Sequence, residues 1–181
     1  MNLLLSFAPF LAFAVLAHFG RAEAGLWAGF LTAAALILRD RFVLRRSVKI
    51  LEAGTVLLFA ALAFWTTARG AEWSIPLVRL AVDTGLLAIV LASLLIGTPF
   101  TLQYAREETP PEIWDQPEFL RTNREITLAW AAAFLAMIVA DAVMAFLPQV
   151  PHQFGVLVTV AALYLAVRYT RIRAARAAFA A

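Results

Sequence analysis

Arg79 and Asp83 stand four residues apart inside an otherwise apolar stretch from about Ile75 to Ile96, and Asp141 lies in a second such stretch, from about Glu125 to Phe146. A spacing of four places two side chains on one face of a helix, so Arg79 and Asp83 are set to pair. Charged groups in lipid cost about 2.5 to 3.5 kcal/mol each on insertion scales, which makes each of them something to explain. Two chemistries fit. In a proton or ion pathway, Asp83 and Asp141 titrate and Arg79 tunes them. In a purely structural role, Arg79 neutralises both aspartates and fastens two helices, a reading favoured by the lack of further carboxylates toward the other end of these stretches. Glu52 lies near the edge of its own apolar stretch, within reach of Lys49 or Arg45, and reads as an interfacial ion pair. His18 and His152 fall at segment ends and read as interface histidines rather than ligands.

Other chemistry is scarce. The chain has no cysteine, which removes disulfides, thiolate metal sites and thiol nucleophiles. Its two histidines are not in HExxH spacing, and no GxGxxG, GxxxxGK[ST] or GxSxG pattern occurs, so neither a metal nor a cofactor site is expected.

The elements that must carry these residues follow from composition. Of 181 residues, 63% are hydrophobic and 15% charged, far from the roughly 25% charged of soluble domains. Mean hydropathy is +0.82. A pI near 9.9 comes with a net charge of only +3, and the arginines flank apolar runs, so no nucleic-acid partner is expected. Backbone amides in hydrocarbon must be satisfied within their own segment, so the runs are read as helices. The expected fold is one all-α polytopic membrane domain over residues 1–181. Its six spans run from about Leu3 to Phe19, Gly25 (or Ala22) to Leu38, Ile50 to Thr67, Ile75 to Ile96, Glu125 to Phe146 and Gln153 to Tyr169. The first resembles a secretory signal ending in Val15-Leu16-Ala17, but it lacks a basic leading region and is read as a retained span. Pro76 suits the first turn of the fourth span. Trp27, Trp65, Trp73, Trp114 and Trp130 fall mostly near span ends, as in an aromatic belt.

Basic residues set the orientation. With both termini cytoplasmic, twelve of the fifteen fall inside: Arg39, Arg41, Arg45, Arg46, Lys49, Arg106, Arg121, Arg124, Arg168, Arg171, Arg173 and Arg176. Only Arg21 and Arg69 fall in external loops.

The one sizeable hydrophilic piece is the loop over residues 98–123. Pro110, Pro111 and Pro117 forbid a continuous helix through it, and Thr122-Asn123-Arg124-Glu125 matches a capping box opening the fifth span. Glu107, Glu108, Glu112, Asp115 and Glu118, with an exposed Trp114, would suit a basic-rimmed groove on a cytoplasmic partner. A plain interfacial connector is the alternative.

Several local runs resemble the septation protein A family of bacterial inner-membrane proteins. They are Phe7-Ala8-Pro9-Phe10, the basic loop between the second and third spans, Trp73 through Pro76, Leu128-Ala129-Trp130-Ala131 and Phe146-Leu147-Pro148-Gln149. Thr127 and Asp141 stand where asparagines are expected, and the acidic loop is longer than usual, as in a divergent member. The resemblance implies a non-enzymatic protein of the bacterial cytoplasmic membrane, in contact with lipid and binding envelope-synthesis or division proteins, with self-association open. It transfers no catalytic residue. The rival expectation is a small proton- or ion-coupled transporter using Arg79, Asp83 and Asp141.

Overall fold

A computed structural model describes residues 2–70, 74–147 and 149–180. The regular elements among them are all helical: α1 (Asn2–Leu5), α2 (Ala8–His18), α3 (Ala22–Leu38), α4 (Ile50–Arg69), α5 (Ile75–Leu95), α6 (Phe100–Glu108), α7 (Pro117–Phe146) and α8 (His152–Ala180). A π-helical turn, Arg39–Val43, extends α3, and a 3-10 turn, Pro111–Ile113, follows α6. Five helical segments are long and apolar enough to cross a membrane: Ala22–Val43, Ile50–Arg69, Ile75–Leu95, Pro117–Phe146 and Gln153–Arg176. Trp73 and Pro148, both used in the sequence reading, lie outside the described residues, as does the side chain of His152.

The first expected span is not one helix. Pro9 has no N–H and its ring would clash with the carbonyl of Leu5, so a helix through both is disfavoured. The chain instead turns at Ser6-Phe7, where the Phe7 N–H donates to the Leu4 carbonyl at 3.2 Å, and α2 restarts with Pro9 in its first turn. The fifth span also begins earlier than expected. Pro117 opens α7 and Glu118 places a carboxylate in the first turn, so Thr122 through Glu125 are helix interior and cap nothing. Pro76 does lie in the first turn of α5, and the loop prolines do interrupt the chain between α6 and α7.

Contacts within the chain define two compact units, residues 1–89 and 90–181. In the first, α2, α3, α4 and the first part of α5 share a core of Phe13, Ala17, Leu26, Phe59, Ala63, Val78 and Val82. Phe59 is its hub, with ring centroids 5.2 Å from Phe10 and 5.9 Å from Phe13. Small residues allow the helices to close on one another. A methyl group at Gly25 would stand 2.9 Å from the carbonyl oxygen of Phe13, so α2 and α3 touch backbone to side-chain position there.

In the second unit, α7 buries a stripe at helical spacing, Trp130, Phe134, Met137, Asp141 and Met144. The Trp130 indole N–H donates to the Thr170 hydroxyl at 3.1 Å, and that hydroxyl donates to the Ala166 carbonyl at 2.8 Å, joining α7 to α8. Phe100 of α6 stacks edge-on against Trp130 at 6.5 Å.

Candidate functional site

The three intramembrane charges singled out by sequence divide between the two units. Arg79 and Asp83 belong to the first, one turn apart on α5. Arg79 is half-buried and Asp83 is 7% exposed, among the buried Val78, Val82 and Leu86. Asp83 lies eight residues into α5, about 12 Å along its axis. Asp141 belongs to the second unit and is fully buried, at 0% exposure. His18 is exposed at the end of α2, its ring edge-on to Phe19 at 5.6 Å.

A polar site that sequence underestimated lies at the start of α4. The expected Lys49–Glu52 pair forms, and it is enclosed by the protein: Lys49 is only 2% exposed and Glu52 is also buried. The Lys49 ammonium donates to Glu52 Oε1 at 3.4 Å, while Glu52 Oε2 accepts the Lys49 backbone N–H at 3.2 Å and so caps α4. Ser6, from the turn between α1 and α2, donates to Glu52 Oε1 at 3.5 Å. Buried Thr55 stands one turn further along α4 and, with Ser6, Glu52, Pro9, Ala33 and Leu36, lines a small cavity. The signal for this site was Ser6, a hydroxyl in an apolar run, together with the carboxylate three residues after Lys49. Neither shows that a third helix closes over them.

The segment feeding this site is tightly formed. Arg39 donates to Asp40 Oδ1 through Nε at 2.8 Å and Nη2 at 2.5 Å, with Asp40 turned inward by the π turn. The Arg46 N–H closes back on the Asp40 carbonyl at 2.8 Å, and Arg45 adopts a left-handed backbone at φ 52°. Glycine is the usual residue there; a side chain costs roughly 1 to 2 kcal/mol.

The acidic loop is an ordered element. α6 buries Phe100, Thr101, Leu102 and Tyr104. The Thr101 hydroxyl donates to the Asn123 carbonyl at 2.8 Å, so the 2.8 Å contact between Thr101 and Thr127 has Thr127 as donor. These bonds fasten α6 to α7. Glu107, Glu108, Glu112, Asp115 and Glu118 are all exposed. Trp114, expected to be exposed, is half-buried: its indole N–H donates to the Thr109 carbonyl at 3.2 Å, and the Arg106 guanidinium lies 5.5 Å from its ring centroid. Arg106 also reaches Asp115 at 4.0 Å. Glu125, expected to cap a helix, instead pairs with Arg121 at 3.0 Å and with Arg173 of α8.

Trp65 lies under the Arg69 guanidinium at 4.6 Å, and Trp27 donates to Thr67, which donates to Glu23 at 2.6 Å, so these two belt candidates have polar partners at helix ends. Among the described residues, no group of three or more His, Asp or Glu side chains is placed to hold a metal ion. No protein-family model, curated protein or solved structure matches the chain.

Proposed function

We propose that this is a multi-pass protein of the bacterial cytoplasmic membrane that acts without catalysis, resembles septation protein A, and binds envelope-synthesis or division proteins through its loop between α5 and α7. The observation that carries this reading is the loop's construction. Five exposed carboxylates are displayed on a segment held by the Trp114–Thr109 and Thr101–Asn123 hydrogen bonds. A fixed acidic surface suits a basic partner because its geometry is set before binding and little ordering entropy is lost on docking.

The chain crosses the bilayer six times, with both ends on the cytoplasmic side. Two contacts support a crossing by the N-terminal segment. Ser6 meets Glu52 at the start of α4, while Glu23, after the turn that follows α2, meets Thr67 near its end. The N-terminal segment thus covers the same depth as α4, although it is broken into two helices.

A second reading, a small proton- or ion-coupled transporter, is favoured by the burial of Asp83 and Asp141 in helices apolar enough to span. One comparison separates the two. Replacing residues 107–118 with a neutral linker should abolish the cellular role while Asp83→Asn and Asp141→Asn leave it intact. Proton or ion flux into proteoliposomes that vanishes with either aspartate variant would overturn the partner-binding reading in favour of transport.

A further inference from the structure

Between α3 and α4 the chain carries Arg39, Asp40, Arg41, Arg45, Arg46 and Lys49. The protein uses several of these charges itself: Arg39 pairs with Asp40, and Lys49 with Glu52. Arg41 and Arg45 are exposed and enter no ion pair among the described residues. Between them lie Phe42, 74% exposed, Val43, 72% exposed, and Leu44. The π turn and the residues after it carry this patch. Asp40 is buried within the turn, while Arg41 through Arg45, its end and the residues that follow, are all exposed. Arg45 holds the left-handed backbone position that glycine would occupy at least cost.

We propose that Arg41 and Arg45 bind the phosphate of an anionic phospholipid headgroup, with Phe42, Val43 and Leu44 seated at the acyl boundary beside it. The helix ending at Val43 is apolar enough to cross a membrane, so this turn falls where headgroups lie. Exposed apolar side chains at that level are buried by lipid rather than left in water. Guanidinium groups match phosphate with paired hydrogen bonds, and the two uncompensated positive charges complement an anionic lipid and not a zwitterionic one. The site is independent of which protein partner the acidic loop binds.

The test uses the purified full-length protein in neutral detergent, offered equal amounts of phosphatidylglycerol and phosphatidylcholine, with retained lipid counted by native mass spectrometry. The native protein should retain phosphatidylglycerol in preference, and each of Arg41→Gln and Arg45→Gln should reduce that preference about fivefold. Arg45→Gly separates binding from folding: it should melt no lower than the native protein yet lose preference as Arg45→Gln does. Equal retention of the two lipids by the native protein, or undiminished preference in the double glutamine variant, would overturn the proposal. Displacement of the lipid by millimolar inorganic phosphate would also overturn it, assigning the site to the free ion instead.

Discussion

Ser6 and Glu52, separated by forty-six residues, meet at 3.5 Å on the carboxylate oxygen that also receives the Lys49 ammonium. The contact closes the N-terminal segment over the start of α4 and encloses both charges. A buried pair is tolerated as a pair, and losing one member is costly. Glu52→Gln removes the anion from beside a buried ammonium and should destabilise the protein by about 3 to 5 kcal/mol. Lys49→Met combined with Glu52→Gln should recover most of that loss, since the amide still accepts the Lys49-position backbone N–H. Thermal unfolding of the purified variants in detergent checks both outcomes.

Gly25 faces the backbone of α2, where a methyl group would come within 2.9 Å of the Phe13 carbonyl oxygen and 3.1 Å of the Phe13 ring. A carbonyl oxygen in a helix cannot rotate away. Gly25→Ala should therefore lower stability by about 1 to 3 kcal/mol through overpacking, despite the better helix propensity of alanine. A variant that melts at or above the native temperature would show that α2 does not lie against α3 at this point.

The Trp130–Thr170 hydrogen bond makes an asymmetric prediction. Trp130→Phe removes the donor, but Thr170 keeps its own bond to the Ala166 carbonyl, so the hydrogen-bond loss should be about 1 kcal/mol. Thr170→Val instead leaves the indole N–H of a fully buried ring without its acceptor, and should cost about 1 to 3 kcal/mol. A double-mutant cycle read by thermal unfolding isolates the coupling from the ring's packing.

These sites also show what the sequence could and could not reveal. Hydropathy placed α3, α4 and α5 to within a few residues, because apolar length and a terminal signal such as Pro76 are local properties, whereas α7 starts earlier and α8 ends later than their apolar stretches. The break at Ser6-Phe7 is marked only by Pro9, a single residue within an apolar run long enough to span. Thr122 to Glu125 formed a sound local capping pattern, yet α7 starts at Pro117 and Glu125 serves α8 through Arg173. The Lys49–Glu52 pair is legible in the spacing, but its burial is not, because Ser6 closes on it from a distant part of the chain. Local signals are written in neighbouring residues; burial is decided by partners that no spacing records.

The absence of cysteine makes the topology directly testable, because any introduced thiol is the only one in the chain. Leu4, Ser47, Glu112 and Gln149 are all exposed positions suited to single substitution. Under the proposed topology Ser47 and Glu112 are cytoplasmic, and Gln149, across α7, lies on the other side. Leu4 decides between five and six crossings. If the segment of α1 and α2 covers the depth of α4, as the Ser6–Glu52 contact supports, Leu4 lies on the same side as Ser47. In intact cells a membrane-impermeant maleimide should label Gln149→Cys alone, and permeabilisation should expose Ser47→Cys, Glu112→Cys and Leu4→Cys together. Labelling of Leu4→Cys in intact cells would reduce the crossings to five, and labelling of Ser47→Cys there would invert the orientation as a whole.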